Sequence, residues 1–142
     1  MSYERRRLQP WTTKQMNSEG FLCWKLEDKN RPGLPDCLIR SPHGKVSWVE
    51  LKWSNLKTSV AVHLAPTQWR HLKDWDPGLS SSPCAWVLVA APAFDRLFLV
   101  PVLALQKARE TFNPEQLVKL PGVESCACTE RDLGALLRRV LV

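Results

Sequence analysis

The sequence predicts an α/β chain whose mixed central sheet of about five strands is flanked by helices. Three observations predict it. Cys84-Ala85-Trp86-Val87-Leu88-Val89-Ala90-Ala91 is an unbroken apolar run of strand length, as expected for a strand covered on both faces. Two shorter strand-like runs, 36–40 and 46–53, flank the turn residues Ser41-Pro42-His43-Gly44-Lys45. Two segments, 66–75 and 129–141, carry apolar residues at helical spacing.

Taken in order, residues 4–18 read as helical but are divided by Pro10. Glu4-Arg5-Arg6-Arg7 is either a helix start or a basic arm. Gly20 ends this segment, and Phe21–Leu26 is the first strand. Glu27–Gly33 is a charged loop that delivers the chain to Pro35 and Asp36, where the second strand begins. The third strand spans 46–53. Residues 54–65 read as a loop. Pro66–Trp75 is a helix with Pro in its first turn and Trp69, Leu72 and Trp75 along one face. Asp76-Pro77-Gly78 stops it. After the apolar run come a turn at 92–95, a strand at 96–100 and a short helix at 102–110. Residues 111–128 are broken up by Pro114, Pro121 and Gly122. Thr129 caps a final helix from Leu133 to Leu141 whose Leu133, Leu136, Leu137 and Val140 share a face.

With 142 residues and 44% apolar content, a single domain spanning 1–142 with a real core is expected. No apolar run is long enough to cross a membrane, and the N-terminus carries no secretory pattern. Five cysteines, an odd number, argue against a disulfide framework and for a reducing compartment. Cys126-Ala127-Cys128 is at most half of a zinc site. The net charge is +6, and its distribution is uneven: residues 1–75 hold 13 Lys and Arg against 7 Asp and Glu, whereas 76–142 hold 7 of each. A basic field over half of the chain suits a polyanionic partner, although a solvated basic surface has the same composition.

That basic half also contains the paired carboxylates of the predicted hairpin. Asp36 opens its first strand; Glu50 and Lys52 lie two apart on its second and therefore share a face. Val49, Leu51 and Trp53 point the other way, into a core. Two acids and a Lys brought together suit metal-assisted phosphodiester hydrolysis: carboxylates hold a hard divalent cation, and an ammonium offsets charge at the nucleophile or phosphate. Each residue also has a plain reading, Asp36 as a turn cap and Glu50 with Lys52 as an exposed ion pair of little worth. His43 and His63 lack a Cys or His partner at metal spacing and carry no catalytic expectation, and His71 reads as a helix-surface residue. There is no Gly-rich phosphate loop and no Ser-His-Asp arrangement.

Gly33-Leu34-Pro35-Asp36, then Trp48-Val49-Glu50-Leu51-Lys52, then Leu64-Ala65-Pro66-Thr67-Gln68, in that order, resemble the PD-(D/E)xK nuclease superfamily. Within it the chain is most similar to the VRR-NUC and Holliday-junction-resolvase-like branch of phages and prophages, over about residues 20–75. The resemblance implies a restriction-endonuclease-like core and a Mg²⁺- or Mn²⁺-dependent endodeoxyribonuclease selective for DNA structure, such as branched or junction DNA, rather than for sequence. It implies Asp36 and Glu50 as metal ligands with the Leu51 carbonyl, Lys52 assisting the attacking water, and Gln68 orienting Lys52 or a phosphate. An acid on the first helix would complete the site, with Glu4 the first choice and Glu19 the second. Arg5, Arg6, Arg7, Lys25, Lys29, Arg31, Lys57, Arg70 and Lys73 are the expected contacts to DNA. An intracellular location follows, in bacterial cytoplasm for a phage-encoded chain, with DNA as the partner, no membrane association, and a homodimer to supply two active sites. The strand at 96–100 and the last helix are candidate interface elements, but both also suit the monomer core. The competing readings are a non-catalytic DNA-binding or assembly protein that keeps the nuclease fold, and a sequence-specific restriction-like enzyme, for which no recognition domain is evident.

Overall fold

The computed structural model describes residues 4–26, 33–76, 78 and 82–142, with the side chains of Glu4 and Arg5 excluded. Among these residues, two stretches of core sandwich a six-stranded sheet. The strands are β1 (Leu22–Lys25), β2 (Cys37–Arg40), β3 (Val46–Trp53), β5 (Ala85–Ala91), β6 (Arg96–Pro101) and β8 (Glu124–Ala127), in that spatial order. β3 and β5 run parallel and every other neighbouring pair is antiparallel, so the sheet is mixed. All seven residues of β5 are buried, as its apolar run predicts.

On one face of the sheet lie α1 (Gln9–Gln15) and α4 (Glu130–Val140), packed against each other. Leu8, Met16, Leu133, Leu136 and Leu137 fill this layer with Cys37, Ile39, Val49 and Leu51 from the strands. A turn of π-helix at Glu4–Leu8 precedes α1 and packs on β3. Pro10 sits in the first turn of α1, where its missing N–H costs nothing. Thr129 caps α4: its hydroxyl oxygen accepts from the Asp132 N–H at 3.1 Å. The apolar residues of 96–100 and of α4 take the monomer-core role favoured over an interface, with Leu97, Leu99, Leu133 and Leu137 fully buried.

The other face is covered by α2 (Pro66–Trp75), α3 (Pro114–Val118) and a two-stranded ribbon of β4 (Val60–His63) and β7 (Arg109–Phe112). Here the structure corrects two sequence expectations. The loop expected at 54–65 contains β4, because Val60 and Val62 alternate into the core and are fully buried. The helix expected at 102–110 is a single 3-10 turn at Val102–Ala104 followed by the start of β7. Asp76, buried at the end of α2, accepts from the Cys84 N–H at 2.8 Å and the Ala85 N–H at 3.2 Å, which ties the helix end to the start of β5. The five cysteines are free. No helix among the described residues is long and apolar enough to cross a membrane.

Candidate functional site

The β2–β3 ladder ends at the pair Cys37 and Val49. One step further, side chains replace the backbone pairing. The Glu50 carboxylate accepts from the Asp36 N–H at 3.1 Å, and the Asp36 carboxylate accepts from the Leu51 N–H at 2.8 Å. The two acids therefore lace the strand ends together and face one another. The Asp36 carboxylate thus bonds across the hairpin, fifteen residues along the chain, rather than capping its own turn as the plain reading has it, and is at the same time held against Glu50.

Glu50 is not on an exposed surface. It is 1% exposed, and its Oε2 is buried without a hydrogen-bond partner. Burial pushes its carboxyl up to about 10; the neighbouring Asp36 pushes the same way, and the Lys52 charge opposes them. A buried carboxyl facing a second carboxyl, with an orphaned oxygen, is a donor set that a hard cation satisfies. Among the described residues no cluster of three or more His, Cys, Asp and Glu forms such a set, so Asp36 and Glu50 stand as a pair.

Lys52, two residues on and half-buried, does not pair with Glu50 as a surface ion pair. Its Nζ donates to Gln68 Oε1 at 3.3 Å. The same oxygen accepts from the Ala65 N–H at 3.0 Å. Ala65 has no side chain to cap α2, so Gln68 reaches back to its backbone and fixes the helix start. Gly33 positions the turn before Asp36. Its φ is +93°, and a Cβ there would lie 3.0 Å from the Thr67 carbonyl and 2.9 Å from His71 Nδ1. Gly33→Ala should therefore cost at least about 1–2 kcal/mol, read as a lower denaturant midpoint. An unchanged midpoint would show that the turn relaxes freely.

The remaining expected residues scatter. Glu19 is exposed and pairs with Arg138 at 2.9 Å, so it does not complete the acid pair; its φ of +53° turns the chain into Gly20. Glu4 lies in the helical turn packed on β3, with its side chain outside the described residues, as is that of Arg5. Lys29 and Arg31 also lie outside them. Arg6 and Arg7 are exposed. Arg7 lines a cavity of about 370 Å³ with Trp11, Trp53 and Asp95, on the α1 side of the sheet and away from Lys52. Lys25 is exposed at the end of β1, Lys57 is exposed in the loop between β3 and β4, and Arg70 is exposed on α2. Lys73 sits over the Trp69 ring at 4.5 Å.

His63 is the residue that sequence reasoning passed over. It lies on β4 directly opposite Arg109. Arg109 Nη2 lies 3.4 Å from His63 Nδ1, and His63 Nε2 lies 3.1 Å from the Thr111 hydroxyl. Partial burial, then the charges of Arg109 and Lys52, lower its pKa, which favours the neutral ring. Reading the alternation from Val60 to Val62 as a strand would have placed His63 on the face opposite the two valines.

No model of a known protein family and no curated protein matches the chain. Among solved structures, it is similar to Hjc, a Holliday junction resolvase from the archaeal hyperthermophile Archaeoglobus fulgidus. The TM-score is 0.53 at 17% identity, over 80% of this chain and 88% of that one. The mixed six-stranded sheet flanked by helices is thus a resolvase-like, restriction-endonuclease-like fold.

Proposed function

We propose that the chain is one domain acting as a divalent-cation-dependent endonuclease on DNA, selecting its substrate by shape. The observation that carries this reading is the Asp36–Glu50 pair with its orphaned Glu50 oxygen, beside a lysine held by Gln68. The shared fold of a junction resolvase supports branched DNA as the substrate class. The order of the Gly33–Asp36, Glu50–Lys52 and Leu64–Gln68 motifs supports placement in the VRR-NUC and resolvase-like branch of the PD-(D/E)xK superfamily.

Asp36, Glu50 and the Leu51 carbonyl would hold Mg²⁺ or Mn²⁺, with Glu4 as a further acid. When bound, such a cation supplies Lewis acidity at phosphorus and acidifies the attacking water. Lys52 orients that water and offsets negative charge on the phosphate as the P–O bond breaks. Gln68 keeps the Lys52 ammonium from swinging onto the Glu50 carboxylate. Arg70, Lys73, Lys57 and Arg109 meet the backbone by charge and not by base. Cutting a junction symmetrically takes two sites, which favours a homodimer on DNA.

A panel of single-stranded, duplex, flap and four-way-junction DNA with Mg²⁺, Mn²⁺ or EDTA tests this reading. Cleavage strongest on branched DNA and absent in EDTA is expected; binding without cleavage of any substrate would sink it. One observation favours the non-catalytic alternative, the lack of a third acid beside the pair among the described residues. The same panel separates the two.

A further inference from the structure

The sheet face that carries Glu50 and Lys52 is covered by α2 and the β4–β7 ribbon over β5 and β6, but much less so over β1 and β2. There Leu22 and Trp24, Leu38 and Arg40, and Val46 and Trp48 point outward, while Cys23, Cys37, Ile39 and Val49 enter the core behind them. Trp24 is opposite Leu38, and Leu38 is opposite Trp48, so three large side chains form one row across three strands. Trp24 is 57% exposed, Val46 39% and Leu22 38%. Trp48 is fixed from the side by Trp75, their rings 4.5 Å apart and 30° from parallel. Leu38 and Trp48 are half-buried, Trp48 against the α2-side core, so the row is a contiguous apolar and aromatic surface that opens to water at Leu22, Trp24 and Val46, the kind of surface that marks a binding site.

The row adjoins the acid pair. Leu38 and Trp48 stand two residues along their strands from Asp36 and Glu50, a step of about 7 Å. Arg40 supplies the charge on this face, and it is a cation. We propose that the β1–β3 face is a stacking platform for unpaired nucleobases, holding the single-stranded or frayed part of a strand whose backbone leads to Asp36 and Glu50. The second half of that statement rests on the nuclease reading; the platform itself does not. A nucleotide combines a π face with an anion, and Trp24 with Arg40 matches both. Stacking accepts any base, which suits recognition by shape. A second copy of the chain is the weaker occupant: its net charge is also +6, and a two-fold contact through this face would bring Arg40 towards its own counterpart.

The test is fluorescence anisotropy in EDTA with a labelled oligo-dT strand, a blunt duplex, and that duplex with a single-stranded overhang. Trp24→Ala should weaken binding of the single strand and the overhang about tenfold, leaving the blunt duplex within about twofold, and Trp24→Phe should recover most of the loss. Equal loss on all three substrates, or no loss, overturns the platform. A dimer that becomes monomeric on Trp24→Ala in sedimentation velocity also overturns it and gives the face to a second copy. Because nothing is cleaved in EDTA, the platform can fail while cleavage with Mg²⁺ survives, and cleavage can fail while the platform stands.

Discussion

Replacing Glu50 by Gln is expected to lower cleavage at least about a thousandfold and, in EDTA, to raise the melting temperature by roughly 5 °C. Both effects come from the same atom pair. Gln keeps the shape and keeps an oxygen for the Asp36 N–H, which Glu50 now bonds at 3.1 Å. Its amide can donate towards Asp36, where the native carboxyl faces another acid. The orphaned Oε2 is replaced by an amide that can donate, and the cost of holding a proton on the buried carboxyl above about pH 4.5 disappears. Relief of an unsatisfied buried polar atom is worth about 1–3 kcal/mol. What is lost is the negative charge on which a cation depends. A purified Glu50→Gln protein that cuts at the native rate would remove Glu50 from the chemistry. One that melts well below the native protein in EDTA would show that the acid supports the fold. Lys52→Ala should match the loss of cleavage without the gain in melting temperature.

The second large effect concerns pH. The Glu50 carboxyl is raised from about 4.5 to about 10 in the folded chain, by burial first and by Asp36 next. The folded state thus holds a proton that the unfolded state releases above about pH 4.5. The stabilising share of this group is complete below that pH and is lost as pH rises through about 10. In EDTA the native protein should therefore lose stability steadily between pH 5 and pH 9, at a slope of up to about 1.4 kcal/mol per pH unit, lessened by any water that enters the site. The Glu50→Gln protein should show a much flatter profile. A divalent cation competes with the same proton, so added Mg²⁺ or Mn²⁺ should raise the native melting temperature, more at pH 9 than at pH 6, and should do little for Glu50→Gln. Denaturant titrations across this range decide it. Parallel pH profiles for the two proteins, or equal stabilisation of both by the cation, would refute the linkage.

The hairpin, α2, β5 and α4 were legible because each declares its periodicity within its own residues. The alternation around Glu50 and Lys52 gave their shared face, and Thr129 with Asp132 marked the start of α4. Of the strands that were not legible, β8 lies in the stretch broken up by Pro114, Pro121 and Gly122, and β4 and β7 are short and depend on each other. β7 reads Arg-Glu-Thr-Phe, a polar run that becomes a strand only by pairing with β4, and β4 shows just two buried valines. Their misreading hid His63 and Arg109. The burial of Glu50 was also beyond reach of local pattern. Alternation says which way a side chain points, whereas α2 and the lacing to Asp36, fifteen residues upstream of Leu51, decide whether water follows it.

The single oxygen of Gln68 serves both the first turn of α2 and the ammonium of Lys52. Helix ends fray on fast timescales and at low cost compared with unfolding of a sheet. Each time this turn opens, the lysine loses its tether and regains its rotamers, while the acids, laced between two strands, stay in place. The site thus has one half laced between strands and one half tied to a helix end, and on warming the lysine's tether is expected to loosen before the sheet does.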